Sequence, residues 1–322
     1  MRPPEPLALP LVRRIDQVDR TDDRRRRRAV ASGEWVRVVS GVYLPSSQWN
    51  SLRPLDQHGI RVAEIARRVR PGAVFSHRAA AALHGIDVLG AWPTSVDVIV
   101  PRASGGRSTG AIRRHALGLD LIQREPYGER EVTTPAQTAL DLARTLPFVQ
   151  ALTAVDQAIW SARPGGPLTT LTEIADLMDA SPPQRGDARA RRVFEFTNPE
   201  SSNVRESQNF VVVVWLGFPR PIVQYRRVLR SGRVAIADLY FEAEDHWSEI
   251  DGRGKYLSPE FGAGRDPAAI VIDEKNRENE IRREVRGFSR WEATTADHPA
   301  VLYDILVAAG LRSSRPRASG AW

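Results

Sequence analysis

The sequence predicts an α/β chain in three parts: a small basic helix-and-hairpin module, an αβ middle domain, and a C-terminal α/β/α domain with a mixed sheet. Three observations carry this reading. Near the start, an arginine-rich helical stretch is followed directly by two alternating strand runs. From about Leu55 to Trp160, strand-length apolar runs alternate with helix-length amphipathic ones. Beyond Thr197-Asn198-Pro199, a valine-rich segment, a β-rich run and a second polar-bounded run follow one another. The expected boundaries are 1–54, 55–196 and 197–311, with 312–322 as a basic, polar tail of low order.

At 322 residues the chain is long enough for two or three domains. It carries 46 Lys+Arg against 39 Asp+Glu, a net charge of +7, which favours a polyanionic partner. Cysteine is absent, so disulfides and cysteine-based zinc sites are excluded and a reducing, cytoplasmic setting is expected. Met1-Arg2-Pro3-Pro4 lacks the apolar core of a signal peptide. No apolar run nears the ~20 residues of a membrane helix, so no membrane partner is expected.

In the first part, Arg24-Arg25-Arg26-Arg27-Arg28 opens a helix ending near Gly33, and Trp35 to Leu44 alternates as a hairpin. Helix followed by a two-stranded wing resembles the second half of a winged helix-turn-helix. The resemblance implies that the helix enters the DNA major groove while Arg24, Arg25, Arg26, Arg27, Arg28 and Arg37 hold phosphates. An arginine run is also commonly a solvated face, and five in succession on a helix point in every direction.

In the middle part, residues 56–70 read as an amphipathic helix. Val74-Phe75 ends a strand, an alanine-rich helix stops at Gly85, and Ser95 to Val100 is a strand. Thr133-Thr134-Pro135 caps a helix running to Arg144. Two further helices lie between Leu168 and Phe196, parted by Ser181-Pro182-Pro183. Ser76-His77-Arg78, Leu83-His84-Gly85 and Thr133-Thr134-Pro135-Ala136 are the pieces by which this region resembles AbiEi-type antitoxins. That resemblance implies a DNA-binding repressor paired with a cognate toxin. His77 and His84, seven residues apart on one helix face, read as capping and packing residues before metal ligands. A Ser76–His77–Asp141 triad has no nucleophile elbow to support it. Trp160, Trp215 and Trp247 read as core.

The last part holds the carboxylates. A helix is expected from Asn203 to Leu216, with Ser202 as N-cap and Glu206 near the positive end of its dipole. Arg233 to Phe241 reads as a strand, Glu242 to Asp245 as a loop, and His246 to Asp251 as the returning strand. A four-residue loop sets Asp238 opposite Glu249, with Cβ atoms roughly 4.5–5.5 Å apart. Like charges so placed suggest a divalent cation, Mg²⁺ or Mn²⁺, held by Asp238 and Glu249. Asp251 shares the face of Glu249. A helix from Asp266 to about Arg286 places Lys275, Glu278 and Arg282 on one face, positioned to close over the acids.

Glu206-Ser207, Gln224, Ala237-Asp238-Leu239, Glu249-Ile250-Asp251-Gly252, Lys255-Tyr256, Glu274-Lys275-Asn276-Arg277-Glu278, Arg282 and Arg290-Trp291 together resemble the PD-(D/E)XK nuclease superfamily, in its very-short-patch-repair-like branch. The resemblance implies phosphodiester hydrolysis with Glu206, Asp238 and Glu249 as acidic site residues. It departs in two respects: the lysine expected two positions after the second acid is Asp251 here, and Gln208-Asn209-Phe210 stands where relatives often carry an arginine. Arginine makes up all but two of the basic residues. The only lysines, Lys255 and Lys275, are therefore the candidates to orient water or neutralise charge. Two functions follow: a Mg²⁺-dependent endonuclease joined to a DNA-binding module, or a non-catalytic AbiEi-like repressor with a degenerate nuclease fold.

Overall fold

In the computed structural model, residues 10–13, 21–69, 72–105, 108, 110–252 and 267–317 are described, without the side chains of 21–23, 104 and 267–271. The chain divides into two compact units, Met1–Ile159 with Arg163–Thr197, and Trp160–Ala162 with Asn198–Trp322.

The first unit opens with β1 (Val12–Arg13), α1 (Thr21–Ala31), β2 (Trp35–Val39), β3 (Val42–Pro45), α2 (Ser46–Ser51) and α3 (Pro54–Ala66). β1, β3 and β2 form a three-stranded antiparallel sheet in that order. Gly41, at φ +74°, makes the turn between β2 and β3, a conformation that costs a non-glycine residue. One hydrophobic core runs from Val38, Val42 and Leu44 of this small sheet through Val62 and Ile65 of α3 to Phe75, Val96 and Val98. The boundary expected at residue 54 therefore lies inside a single core.

The unit continues with β4 (Val74–Phe75), α4 (His77–His84), β5 (Val96–Ile99), β6 (Ile112–His115), β7 (Arg124–Tyr127) and β8 (Arg130–Thr133). The strands build a mixed five-stranded sheet ordered β6-β5-β4-β8-β7. Four helices follow, α5 (Pro135–Thr145), α6 (Phe148–Ile159), α7 (Leu171–Asp179) and α8 (Asp187–Phe194). Their starts are written in the sequence. Thr134 accepts from Gln137 N with Pro135 in the first turn, and Thr170 with Glu173 forms a reciprocal capping box at α7.

The second unit comprises α9 (Val204–Trp215), β9 (Ile222–Val228), β10 (Val234–Phe241), β11 (His246–Asp251), α10 (Pro267–Glu284), β12 (Gly287–Glu292) and α11 (Pro299–Ala308). Its sheet is ordered β12-β11-β10-β9, with β11 and β12 parallel and the other pairs antiparallel. A parallel pair needs a crossover, and α10 lies within it. The valines of α9 do not make it a strand: Asn203 caps the helix, accepting from the N–H groups of Arg205 and Glu206, and burial of Phe210 to Val213 outweighs β-branched propensity. The cap is thus Asn203 and not Ser202, which instead donates from its backbone N–H and hydroxyl to Glu206. Of the three expected core tryptophans, Trp247 is fully buried, while Trp160 and Trp215 are half-buried.

Candidate nucleic-acid interface and the C-terminal charge cluster

The five arginines of α1 separate by direction. Arg24, Arg25, Arg27 and Arg28 are exposed, whereas Arg26 is buried with its guanidinium 6.0 Å from the Tyr43 ring centre. Arg26 is therefore a packing residue and is withdrawn from the expected phosphate contacts. Beside α1 lies a cleft of about 980 Å³ whose lining includes Arg13, Arg27, Arg37, Arg67 and Arg68, with Val30 and Tyr43. Two of these arginines are engaged. Arg13 pairs with both oxygens of the buried Glu64, at 3.0 and 2.6 Å, and Arg68 donates to Ser40 O at 2.5 Å. Arg67 and Arg68, just past the end of α3, were not singled out in the sequence. Only their place at a helix C-terminus, where cations are favoured, marks them.

A second cluster lies around the start of α4. Ser76 and His77 are buried, with Ser76 Oγ 3.0 Å from His77 Nδ1. His77 has φ +48°, a sparsely populated conformation for a non-glycine residue. Its ring stacks on His115 at 3.9 Å between centroids, and His115 Nε2 is 2.9 Å from Asp97 Oδ1. Burial pushes His77 down to about 3, so the ring is neutral. His84 goes elsewhere, to Thr133 O at 2.7 Å, so the two histidines of α4 serve separate contacts. Asp141 is bonded to Gln137 at 2.8 Å and is pushed up to about 7 by burial. Asp97 and His115 were invisible in sequence because they meet only across paired strands.

The C-terminal carboxylates lie where β10, β11 and α10 place them, and each is engaged. The hairpin register puts Leu239 opposite Ser248 and Tyr240 opposite Trp247, as the loop length implied. Just past this ladder, Asp238 accepts from the Ile250 backbone N–H at 2.6 Å. Gln224, held at φ +52° on β9, donates to the other oxygen of Asp238 at 3.4 Å. Glu249 is buried and takes a charged hydrogen bond from Arg277 at 2.9 Å, with Trp247 Nε1 at 3.3 Å. Burial raises its pKa, and the guanidiniums of Arg277 and Arg290 oppose the rise. Asp251 receives both arms of Arg290, at 2.6 and 2.7 Å. Arg290 also donates to Glu278 at 3.0 Å, and Arg277 to Glu274 at 2.9 Å.

Lys275 is exposed and lies about 200° around the helix from Arg277. The position over Glu249 expected for lysine is therefore held by arginine. Lys255 lies outside the described residues. Glu206 is spent at the start of α9, accepting from Ser202 and also from Asn203 Nδ2 at 2.7 Å. Among the described residues no group of three His, Asp or Glu converges as a metal site. Among the described residues, the Arg277 guanidinium sits against Glu249 and the Ile250 N–H against Asp238, so these two acids do not present an open carboxylate pair for Mg²⁺ or Mn²⁺. Nor is any helix among the described residues long and apolar enough to cross a membrane.

Residues 56–195 match the family model described as the AbiEi antitoxin C-terminal domain, which does not extend into the second unit. The chain is 27% identical over 244 residues to two uncharacterised proteins of Mycobacterium tuberculosis, MT2308 of strain CDC 1551 and Rv2248 of strain H37Rv. These alignments cover 76% of this chain and 80% of each relative. Among solved structures, the RV2827C protein of Mycobacterium tuberculosis aligns over 62% of this chain and 74% of its own, at 15% identity and a TM-score of 0.31.

Proposed function

We propose that this protein is a non-catalytic, DNA-binding regulator of antitoxin type. In this reading the first unit grips duplex DNA through its basic helix-and-wing region and carries the surface for a cognate toxin. The match of residues 56–195 to the AbiEi antitoxin C-terminal domain is the observation that carries the reading. AbiEi antitoxins in general pair with toxins and bind DNA. The exposed arginines of α1 and the neighbouring cleft support it on physical grounds, since arginine density supplies sequence-independent phosphate affinity.

The second unit enters this reading as a structural platform. A metal-dependent nuclease needs carboxylates open to a cation and a reacting phosphate. Here Asp238 is committed to a backbone N–H and Glu249 to Arg277, which favours the regulator over the endonuclease.

The test is anisotropy titration of a labelled duplex spanning the region upstream of the protein's own gene, with wild type and Glu249→Gln. Binding that weakens steeply with salt and is unchanged in a folded Glu249→Gln protein is expected. Absence of duplex binding by wild type, or its loss in a folded Glu249→Gln protein, would overturn the reading.

A further inference from the structure

We infer that the phosphate seat for duplex DNA is the cleft rimmed by Arg27, Arg37 and Arg67, and not the arginine run of α1 as a whole. This rests on the proposed DNA-binding function and deepens it. Arg27 projects from α1, Arg37 from β2, and Arg67 from just past the end of α3; all three are exposed. Each lines the same cleft. None has a hydrogen-bond or ion-pair partner among the described residues. Three elements thus bring to one opening three guanidiniums that no acid among the described residues neutralises.

The surroundings keep that charge available. Glu64 is the one acid in the lining among the described residues, and Arg13 neutralises it through two hydrogen bonds. Arg68 is tied to Ser40 O, which fixes the turn beneath the rim. The other α1 arginines do not line it. At 100° per residue, Arg25 lies about 160° and Arg28 about 100° around the helix from Arg27, which lines the cleft together with Val30 and Ala31. Arg26 is buried against Tyr43.

The occupant is the phosphodiester backbone of a duplex. Single-strand binders need open aromatic faces on which bases stack. Among the described residues, the one aromatic ring lining this cleft, Tyr43, has the Arg26 guanidinium over it. Guanidinium forks match phosphate oxygens without reading bases, so the cleft supplies position and affinity while sequence is read elsewhere.

The test measures duplex affinity of the full chain against salt concentration, with thermal melting to confirm folding. Variants are Arg27→Ala/Arg37→Ala/Arg67→Ala, the matching triple lysine variant, and Arg25→Ala/Arg28→Ala. A single strand of the same sequence is titrated alongside. Each phosphate contact contributes about 0.9 to the slope of log affinity on log salt. The triple alanine variant should flatten the slope by about 2.7 on that basis, the triple lysine variant should retain most of it, and Arg25→Ala/Arg28→Ala should change it by less than about 1. Equal flattening in both alanine variants, or greater flattening in Arg25→Ala/Arg28→Ala, would overturn the cleft while leaving duplex binding intact. Tighter binding of the single strand by wild type would overturn the duplex as occupant. No binding by wild type would instead remove the function on which the cleft rests.

Discussion

Arginine does opposite things in the two units. At the N-terminal cleft, Arg27, Arg37 and Arg67 are exposed and have no acidic partner among the described residues. In the C-terminal cluster, Arg277 and Arg290 are locked among Glu249, Asp251, Glu274 and Glu278. Net charge cannot distinguish the two situations, whereas partner lists can. An unpaired guanidinium on the surface can offer its charge to a polyanion. One that neutralises a buried carboxylate has none left to offer and serves to hold α10 on the sheet. The difference predicts that arginine removal costs binding in the first unit and stability in the second.

The largest stability effect is expected for Arg277→Ala. It strands the buried Glu249, with Arg290 no nearer than 3.9 Å, and should destabilise the second unit by about 2–4 kcal/mol. That is somewhat below the loss from breaking a fully buried pair, because part of Arg277 remains in water. Urea unfolding measures it, and a cost below about 0.5 kcal/mol would erase the contrast between the units. Next is Asp238→Ala, which leaves the Ile250 N–H without its acceptor. A loss of about 1–3 kcal/mol follows from an unsatisfied buried donor, while Asp238→Asn, retaining an acceptor, should recover most of it in the same assay.

A pH series sharpens the comparison for buried groups. Burial pushes His58, His77 and His246 down to about 4, 3 and 4. Each is neutral when folded but takes a proton in the unfolded chain below about 6.5. Their contribution is therefore full above that pH and is lost as pH falls. Asp141, raised to about 7, acts in the opposite sense: its contribution is full below about 4 and is lost as pH rises towards 7. Three groups against one make the calorimetric midpoint rise from pH 4.5 to 6.5, and a fall over that range would contradict the assignment. Asp141→Asn should be more stable than wild type at pH 8, by a few kcal/mol at most, since each pKa unit corresponds to about 1.4 kcal/mol. The smallest effect is on Arg27→Ala, an exposed residue with no partner among the described residues, whose stability change should stay within about 0.5 kcal/mol.

Local signals were legible where one residue type suffices. Thr134-Pro135 marked the start of α5, Gly85 the stop of α4, and the four-residue loop after Phe241 the β10–β11 register. What sequence could not supply was the direction of side chains relative to distant elements. Asp238 and Glu249 were placed as neighbours by register, yet their donors come from the Ile250 backbone and from Arg277 across the α10 crossover. The arginine run drew attention to α1 because its members are consecutive. The cleft instead gathers Arg37 and Arg67 from later elements and turns Arg26 inward. Contacts between residues far apart in sequence depend on packing, which no local pattern encodes.

The most direct test of the account is a single gel in which supercoiled plasmid meets wild type and Asp238→Ala, with Mg²⁺ or Mn²⁺ at low salt. The account predicts retarded but uncut plasmid for both proteins. Metal-dependent nicking by wild type that disappears in a folded Asp238→Ala protein would contradict it, and would restore the C-terminal acids as a catalytic site.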